Sequence, residues 1–219
     1  MPGTAVIQVK RGIGDVVWHL PFIRAIAAAT PERAVTFLTL PSTRARELLA
    51  AEPSVGEVIY FEHQGSELTR GINLVKLIAL LRARRFQRIW ILDRTIRPAL
   101  AAMLAGIPER IGPGDGLQRH MITNVGIEAR HFKQLAMDWL RVLLESMNVR
   151  LPSTEPNLKL PDRLLTDIAA RYPTPRPWIV LALGGSHPSK DWPDAHYACL
   201  LYTSPSPRDR TRSRMPSSA

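Results

Sequence analysis

Apolar and polar positions along the first 150 residues fall into short apolar runs that alternate with segments of helical spacing. The short runs predict strands at residues 4–10, 34–40, 57–61, 88–93 and 110–111. The intervening spacing predicts helices at residues 16–29, 42–51, 67–84, 96–105 and 132–147. Ser42 is the predicted N-cap of the second helix. This alternation predicts a parallel sheet with helices on both faces, a Rossmann-like, doubly wound α/β domain over residues 1–150.

A second domain is predicted to begin after a proline-rich connection at residues 151–177, which holds one short helical pattern at 163–172. Residues 178–183 (WIVLAL) have the continuous apolar character of a buried parallel strand. A small-residue turn follows at 184–190, and Trp192-Pro193 marks the start of a helix. We therefore expect residues 178–198 to be the start of a second, truncated domain.

Residues 199–219 differ in character from everything before them, because they form a Ser/Pro/Arg tract without apolar periodicity. Residues 199–209 match, one for one, the in-frame translation of a transposase sequencing adapter, and residues 213–219 match a primer segment that lies beyond the sample index. We predict that this tail is not native and that the natural protein continues beyond Ala198.

Composition narrows the class of protein. With 45% hydrophobic and 22% charged residues in 219, the chain has globular composition, and no apolar run is long enough to span a membrane. The N-terminus shows no secretory signal, so a cytoplasmic protein is expected. The single cysteine excludes a disulfide framework.

The chain is strongly basic, with 29 Lys and Arg against 19 Asp and Glu. Leaving out the tail removes four arginines and one aspartate, so 25 cations face 18 anions and the net charge is +7. This excess attracts phosphorylated ligands, acidic lipid headgroups or nucleic acid, and charge alone does not choose among them.

The first candidate site is the loop KRGIGD after the first strand, which contains Lys10, Gly12, Gly14 and Asp15. Its glycines allow close approach of a ligand, and the following helix directs free N–H groups at the loop. The third glycine of a dinucleotide fingerprint is missing. Asp15 is either a residue that caps the helix or a general base that faces a cleft.

The second candidate site is the loop GGSHPSK at residues 184–190. Its backbone N–H groups, the hydroxyls of Ser186 and Ser189 and the Lys190 ammonium together suit a phosphate or diphosphate. The alternative is an ordinary solvated turn, because the residue order of a P-loop is absent.

Other residues are weaker candidates. Asp93 ends a strand on the ligand side of the sheet and is a second-tier site residue. His19, like the other histidines, is expected to be packed or exposed, and the histidine spacing predicts no metal site. Trp18, Trp90, Trp139 and Trp178 lie in apolar patterns and are predicted to be in the core.

Residues 6–26, 105–112 (AGIPERIG) and 183–193 (LGGSHPSKDWP) together resemble the glycosyltransferase family of lipopolysaccharide heptosyltransferases. The resemblance spans residues 4–198 and rests on the G-D loop combined with the K-x-W-P loop. It implies a GT-B fold with two Rossmann-like domains, the acceptor being held by the first and the nucleotide-sugar donor by the second.

The resemblance also implies a mechanism. Asp15 looks like the general base of an inverting transfer, and Lys10, Gly12 and Gly14 match the acceptor-side loop. Ser186, Ser189 and Lys190 match the loop that binds the donor diphosphate, so no metal or other cofactor is expected. The implied donor is ADP-heptose or another nucleotide-sugar, and the implied acceptor is a lipid-linked glycan at the inner-membrane surface.

Family members continue for more than a hundred residues and carry a D-T-G-x-x-H loop, which this chain lacks, so we expect the 219-residue chain to be inactive. Two other functions are rivals to this one. An oxidoreductase would need the third loop glycine and an acidic residue after the second strand, where Leu40-Pro41 stands. A non-catalytic module that binds phosphate or nucleic acid is supported by charge alone.

Overall fold

The computed structural model describes residues 3–62, 66–173, 181, 183–184 and 191–203. The chain divides into two compact units, Met1–Arg171 and Tyr172–Ala219, and the division falls inside the predicted connection at 151–177. The predicted strand at 178–183 lies almost wholly outside the described residues. The domain limits at 150 and 178 therefore stay predictions.

The first unit is built on a sheet of five parallel strands in the order β3-β2-β1-β4-β5. The strands are β1 (Thr4–Ile7), β2 (Val35–Thr39), β3 (Val55–Tyr60), β4 (Arg88–Ile91) and β5 (Glu109–Ile111). Because the chain runs outward from β1 in both directions, the order reverses between β1 and β4, and this reversal leaves a crevice at the carboxyl edge of the sheet. The predicted doubly wound α/β fold is confirmed.

Helices cover both faces of this sheet. The helices of the first unit are α1 (Ile13–Ala28), α2 (Ala45–Leu48), α3 (Glu67–Arg84), α4 (Ile96–Leu104), α5 (Ala136–Ser146) and α6 (Asp162–Arg171). One face of the sheet packs through buried Val6, Phe37 and Trp90 against α1 and α5. The other face packs through buried residues such as Ile7 and Ile91 against α3 and α4. Alternate residues of each strand thus serve two separate cores.

Helix α1 differs from its prediction at its amino end, because it begins at Ile13 rather than at residue 16. Its buried stripe follows the i, i+3, i+4, i+7 positions Val16, His19, Leu20 and Ile23. Trp18 lies off this stripe and is 53% exposed, so its prediction as a core residue is wrong. Trp90 and Trp139 are buried as predicted.

The predicted helix 42–51 is wrong in extent. The structure has a short 3-10 helix at Pro41–Thr43 and then the four residues of α2, separated by Arg44 in the left-handed region at φ 50°. A left-handed residue interrupts helical hydrogen bonding, so one long helix cannot form. Ser42 therefore does not cap it, and its hydroxyl instead donates to the carbonyl oxygen of Arg11.

The predicted helix 132–147 is also shorter than expected, because its first turn is replaced by a 3-10 helix at Ala129–Lys133 and α5 begins only at Ala136. By contrast, α3 has the predicted limits. The Ser66 hydroxyl accepts the backbone N–H of Thr69 at its start, as an N-cap does.

The second unit contains a helix, α7, at Asp194–Thr203. It begins just after Trp192-Pro193, as predicted, and it includes the first five residues of the tail predicted to be non-native. That origin stays a prediction. None of the helices in the described parts of either unit is long and apolar enough to cross a membrane.

Candidate functional site

A cleft of about 430 Å³ opens at the point where the strand order reverses. It lies beyond the carboxyl ends of β1 and β4, where ligands bind in open parallel sheets. The residues that line it are Lys10, His19, Leu92, Asp93, Arg94, Thr95, Asp115, Gln134, Ala136 and Trp139. Five of these ten side chains are acidic or basic: Lys10, His19, Asp93, Arg94 and Asp115.

The loop between β1 and α1 forms one side of this cleft and is tethered residue by residue. Gln8 accepts the hydroxyl of Thr39 at 2.8 Å through its side-chain oxygen. The backbone N–H of Val9 donates to Asp93 Oδ2 at 2.6 Å, and this bond joins β1 to β4. A loop held in this way presents its remaining groups to a ligand in a set geometry.

The loop carries two cations, Lys10 and Arg11, and Lys10 lines the cleft. Its ammonium makes no hydrogen bond or ion pair within the part of the chain that the structure describes. An ammonium without a partner at the mouth of a crevice attracts an anionic ligand group. The structure thus places the predicted acceptor-side lysine in the cleft.

Asp15 lies in the first turn of α1, where its carboxylate Oδ2 accepts the backbone N–H of Gly12 at 3.0 Å. The capping interpretation of Asp15 therefore describes a real contact. It does not exclude the general-base interpretation, because only Oδ2 is used among the described contacts and the side chain is half-buried. His19, one turn further on, donates through Nδ1 to the Asp15 carbonyl oxygen at 2.6 Å.

The two glycines of the loop have different roles. Gly12 has φ −86°, an ordinary value, but a Cβ there would lie 2.9 Å from Asp15 Oδ2. Gly14 lies inside α1 rather than in the loop, and a Cβ there would meet nothing within 4 Å. Gly12 is therefore required by the close approach of the Asp15 carboxylate, whereas Gly14 leaves an open surface on the helix.

Asp93 is the most buried charged group of the cleft, with 3% of its surface exposed. Burial raises the pKa of its carboxyl above the ordinary value. The hydrogen bond from Val9 opposes this rise of the pKa, as do electrostatic interactions with nearby His19 and Lys10, whereas the interaction with Asp15 adds to it. The net effect is a raised pKa, which means that ionising this carboxyl costs more free energy than ionising an exposed aspartate.

Arg94, which also lines the cleft, is held in position by two neighbouring side chains. Its guanidinium forms an ion pair with Asp115 at 2.6 Å and lies 4.7 Å from the ring centroid of Phe132. Gln118, which is fully buried, donates to the carbonyl oxygens of Asp93 and Thr95. The loops that follow β4 and β5 are thereby joined to the end of β4.

Two residues of this site, His19 and Asp93, are more central to the cleft than the sequence predicts. His19 was expected to be packed or exposed, and it is buried while its ring also lines the cleft. Asp93 was only a second-tier candidate. A signal for both was available, since His19 is one turn beyond Asp15 on the same helix and Asp93 directly follows a strand at the ligand edge. Ser186, Ser189 and Lys190 lie outside the described residues.

Two other cavities of the first unit are less suited to polar chemistry. One, of about 240 Å³, lies between the end of β3 and α3 and is lined largely by apolar side chains. The other, of about 420 Å³, lies along the edge strand β5 and contains a single ionisable side chain, Glu109. The described residues contain no group of three His, Cys, Asp or Glu side chains that could hold a metal ion.

A doubly wound domain with acidic and basic side chains gathered at its reversal point defines an α/β ligand-binding domain of the kind that enzymes use. The model of glycosyltransferase family 9 (heptosyltransferase) matches residues 74–204, which is more than half of the chain. The chain therefore belongs to glycosyltransferase family 9.

Individual relatives agree with this assignment. The chain is 27% identical to lipopolysaccharide heptosyltransferase 2 of Escherichia coli (strain K12), over 86% of this chain and 56% of that protein. It matches the structure of E. coli ADP-heptose lps heptosyltransferase II with a TM-score of 0.67 and 22% identity, over 91% of this chain and 60% of the other.

A third match is E. coli heptosyltransferase WaaC with ADP-2-deoxy-2-fluoro heptose, with a TM-score of 0.63 and 15% identity over 96% of this chain and 71% of the other. The structural likenesses establish a fold of the GT-B type. The chain spans between half and two thirds of the length of the first two relatives.

Proposed function

We propose that the protein to which this chain belongs transfers a heptose, or a similar sugar, from an ADP-sugar to a lipopolysaccharide core or related envelope glycan. The transfer proceeds with inversion and without a metal. The observation that carries this proposal is the position of the Asp15 loop beside the charged cleft of a family 9 chain.

Asp15 is the general base of this reaction. Its carboxylate takes the proton from an acceptor hydroxyl as the hydroxyl oxygen attacks the anomeric carbon, and the bond from that carbon to the diphosphate breaks. The contact with Gly12 supports this role because it holds the carboxylate at the start of α1. Positioned proton transfer of this kind accelerates a reaction by about 10²–10⁴-fold.

The remaining site residues divide between the two substrates. Lys10 and Gly12 form the acceptor side together with the open helix surface at Gly14. Ser186, Ser189 and Lys190 bind the donor diphosphate, and the Lys190 ammonium neutralises the charge that develops on the leaving ADP. This second set rests on the family resemblance of the loop GGSHPSK.

The site of action is the cytoplasmic face of the inner membrane, where a lipid-linked acceptor is presented. The net charge of +7 that remains without residues 199–219 supports a peripheral contact with anionic lipids. We infer that the 219-residue chain by itself is inactive, because it spans only 56% and 60% of the length of the first two relatives.

The test uses a longer chain, obtained by re-reading the source DNA across the Ala198 codon. Asp15→Asn keeps an oxygen that accepts the Gly12 N–H but removes the base, so we expect kcat to fall by about 10²–10⁴-fold without a loss of thermal stability. Asp162→Asn, the same exchange at an exposed position of α6, is the matched control. Retained turnover in Asp15→Asn would contradict the assignment.

A second candidate function is a non-catalytic module that binds phosphate or nucleic acid, and the unpaired Lys10 in a basic chain favours it. Such a module would bind RNA or DNA with an affinity that falls steeply as salt rises. We expect the measured affinity to be weak and independent of sequence. Tight binding at physiological salt together with absent sugar transfer would favour the module.

A further inference from the structure

Asp93 is a buried carboxylate with an incomplete set of partners. Its Oδ2 accepts the Val9 N–H at 2.6 Å, whereas its Oδ1 accepts no hydrogen bond from any residue in the described ranges. Burying a charge is costly unless hydrogen bonds replace the lost water. An acceptor atom that stays open in such a place is a feature of binding sites rather than of cores.

The open oxygen is directed to a place where a ligand can reach it. Asp93 lines the 430 Å³ cleft, and its Oδ1 does not belong to the enclosed polar atoms that lack a partner. The two basic side chains that influence it, Lys10 and His19, line the same cleft, and neither makes a hydrogen bond to it among the described contacts. The missing partner is therefore a hydrogen-bond donor that enters with the ligand.

We propose that Asp93 is a specificity-determining residue of the acceptor site, which accepts a hydrogen bond from one hydroxyl group of the acceptor sugar through Oδ1. The bond to Val9 holds the carboxylate in place, so that the position of Oδ1 is set before the sugar binds. A carboxylate accepts hydrogen bonds without donating any when it is ionised, and so it selects a hydroxyl over an ether or a carbonyl oxygen at this position.

This inference rests on the proposed function for the identity of the ligand, but its geometry concerns only β1, β4 and the cleft between them. Asp93 is distinct from Asp15 in its task. Asp15 moves a proton at the reacting hydroxyl, whereas Asp93 binds a second hydroxyl that does not react. Loss of Asp93 should therefore raise the acceptor KM more than it lowers kcat.

The experiment compares the longer wild-type chain with Asp93→Asn and with the control Asp162→Asn, using acceptors that each lack one hydroxyl group. The Asn variant keeps an oxygen for the Val9 N–H but replaces Oδ1 by a donor. We expect its acceptor KM to rise about 10- to 100-fold. One deoxy acceptor should show a raised KM with wild type and no further rise with Asp93→Asn.

Two outcomes would overturn the proposal. One is that, for every deoxy acceptor, the missing hydroxyl raises the acceptor KM by the same factor in wild type and in Asp93→Asn. The other is that Asp93→Asn lowers kcat and thermal stability together while the acceptor KM is unchanged, because that result describes a structural residue. Either result can occur while the wild-type enzyme transfers sugar, so failure of this proposal is distinguishable from failure of the proposed function.

A readout without catalysis separates this proposal from the proposed function. Lipid-free lipopolysaccharide core oligosaccharide, the sugar part of the proposed acceptor, is titrated into the 219-residue chain while the backbone amide signal of Val9 is followed by NMR. We expect a saturable shift in the wild type that Asp93→Asn reduces at least several-fold. If the longer chain transfers no sugar but this shift is present, the proposed reaction fails and the hydroxyl-binding role of Asp93 stands. If the wild type shows no shift, the role of Asp93 fails.

Discussion

Two buried carboxylates of the first unit, Glu52 and Asp93, are nearly equal in exposure, at 4% and 3%, and opposite in their surroundings. Glu52 Oε2 accepts two hydrogen bonds from Arg24, at 3.1 and 2.5 Å, and its Oε1 accepts from the hydroxyl and the backbone N–H of Ser54. Asp93 has a single backbone donor on one oxygen.

The pKa values of the two groups move in opposite directions for this reason. Burial acts to raise the pKa of Glu52, but the hydrogen bonds from Arg24 and Ser54 outweigh it and the pKa is lowered. For Asp93, the hydrogen bond from Val9 and the nearby basic groups do not outweigh the effect of burial, and so its pKa is raised. A carboxylate that serves the fold is fully paired, whereas the one in the cleft remains underpaired, which is typical of groups that await a ligand.

The largest expected effect in this comparison is on Glu52. Glu52→Gln removes the charge from a buried pair and leaves Arg24 without its partner, so we expect a loss of about 3 kcal/mol in the free energy of unfolding at neutral pH. Because the folded-state pKa of Glu52 is lowered, its contribution is present above the ordinary glutamate value and is lost as pH falls through the folded value. Urea unfolding of both proteins at several pH values measures this.

The difference in the free energy of unfolding between wild type and Glu52→Gln should therefore become smaller as the pH is lowered. A difference that stays constant down to low pH would show that the pair contributes through packing rather than through charge.

A smaller effect of opposite sign is expected for Asp93. Asp93→Asn keeps the bond to Val9 and removes the cost of a buried charge, so we expect a gain of about 1 kcal/mol at neutral pH. Because the folded-state pKa is raised, the wild type is penalised as pH rises through that value, and the penalty is absent below the ordinary aspartate value. The gain should fade as pH falls.

The same unfolding series as for Glu52 provides the measurement. A loss of stability in Asp93→Asn at neutral pH would place Asp93 with Glu52 among the residues that serve the fold.

The smallest effect is expected for an exposed pair on α5, where Arg141 and Glu145 are 3.2 Å apart with about half of each side chain exposed. Glu145→Gln should change the unfolding free energy by no more than about 0.3 kcal/mol, because solvent screens the pair. The change should shrink further in high salt. An effect as large as that of Glu52→Gln would mean that burial is not what separates these groups.

Local sequence patterns predict the limits of some helices correctly and those of others incorrectly. The limits of α3 follow from its apolar spacing and its Ser66 cap, which are both local signals. The predicted helix from Ser42 failed because Arg44 adopts a left-handed conformation, which no residue type at that position signals. Trp18 was misplaced because apolar character does not say which side of a helix meets the sheet.

The amino-acid sequence by itself determined the alternation of strands and helices, the parallel sheet, the loop that carries Lys10 and Asp15, and the resemblance to family 9. These features depend on residues close together in the chain. Only the tertiary structure decided that Asp93 meets this loop, because the parallel register of β1 with β4 joins residues more than eighty positions apart. Burial and pairing of charges depend on such distant contacts, and so the difference between Glu52 and Asp93 became visible only in the folded chain.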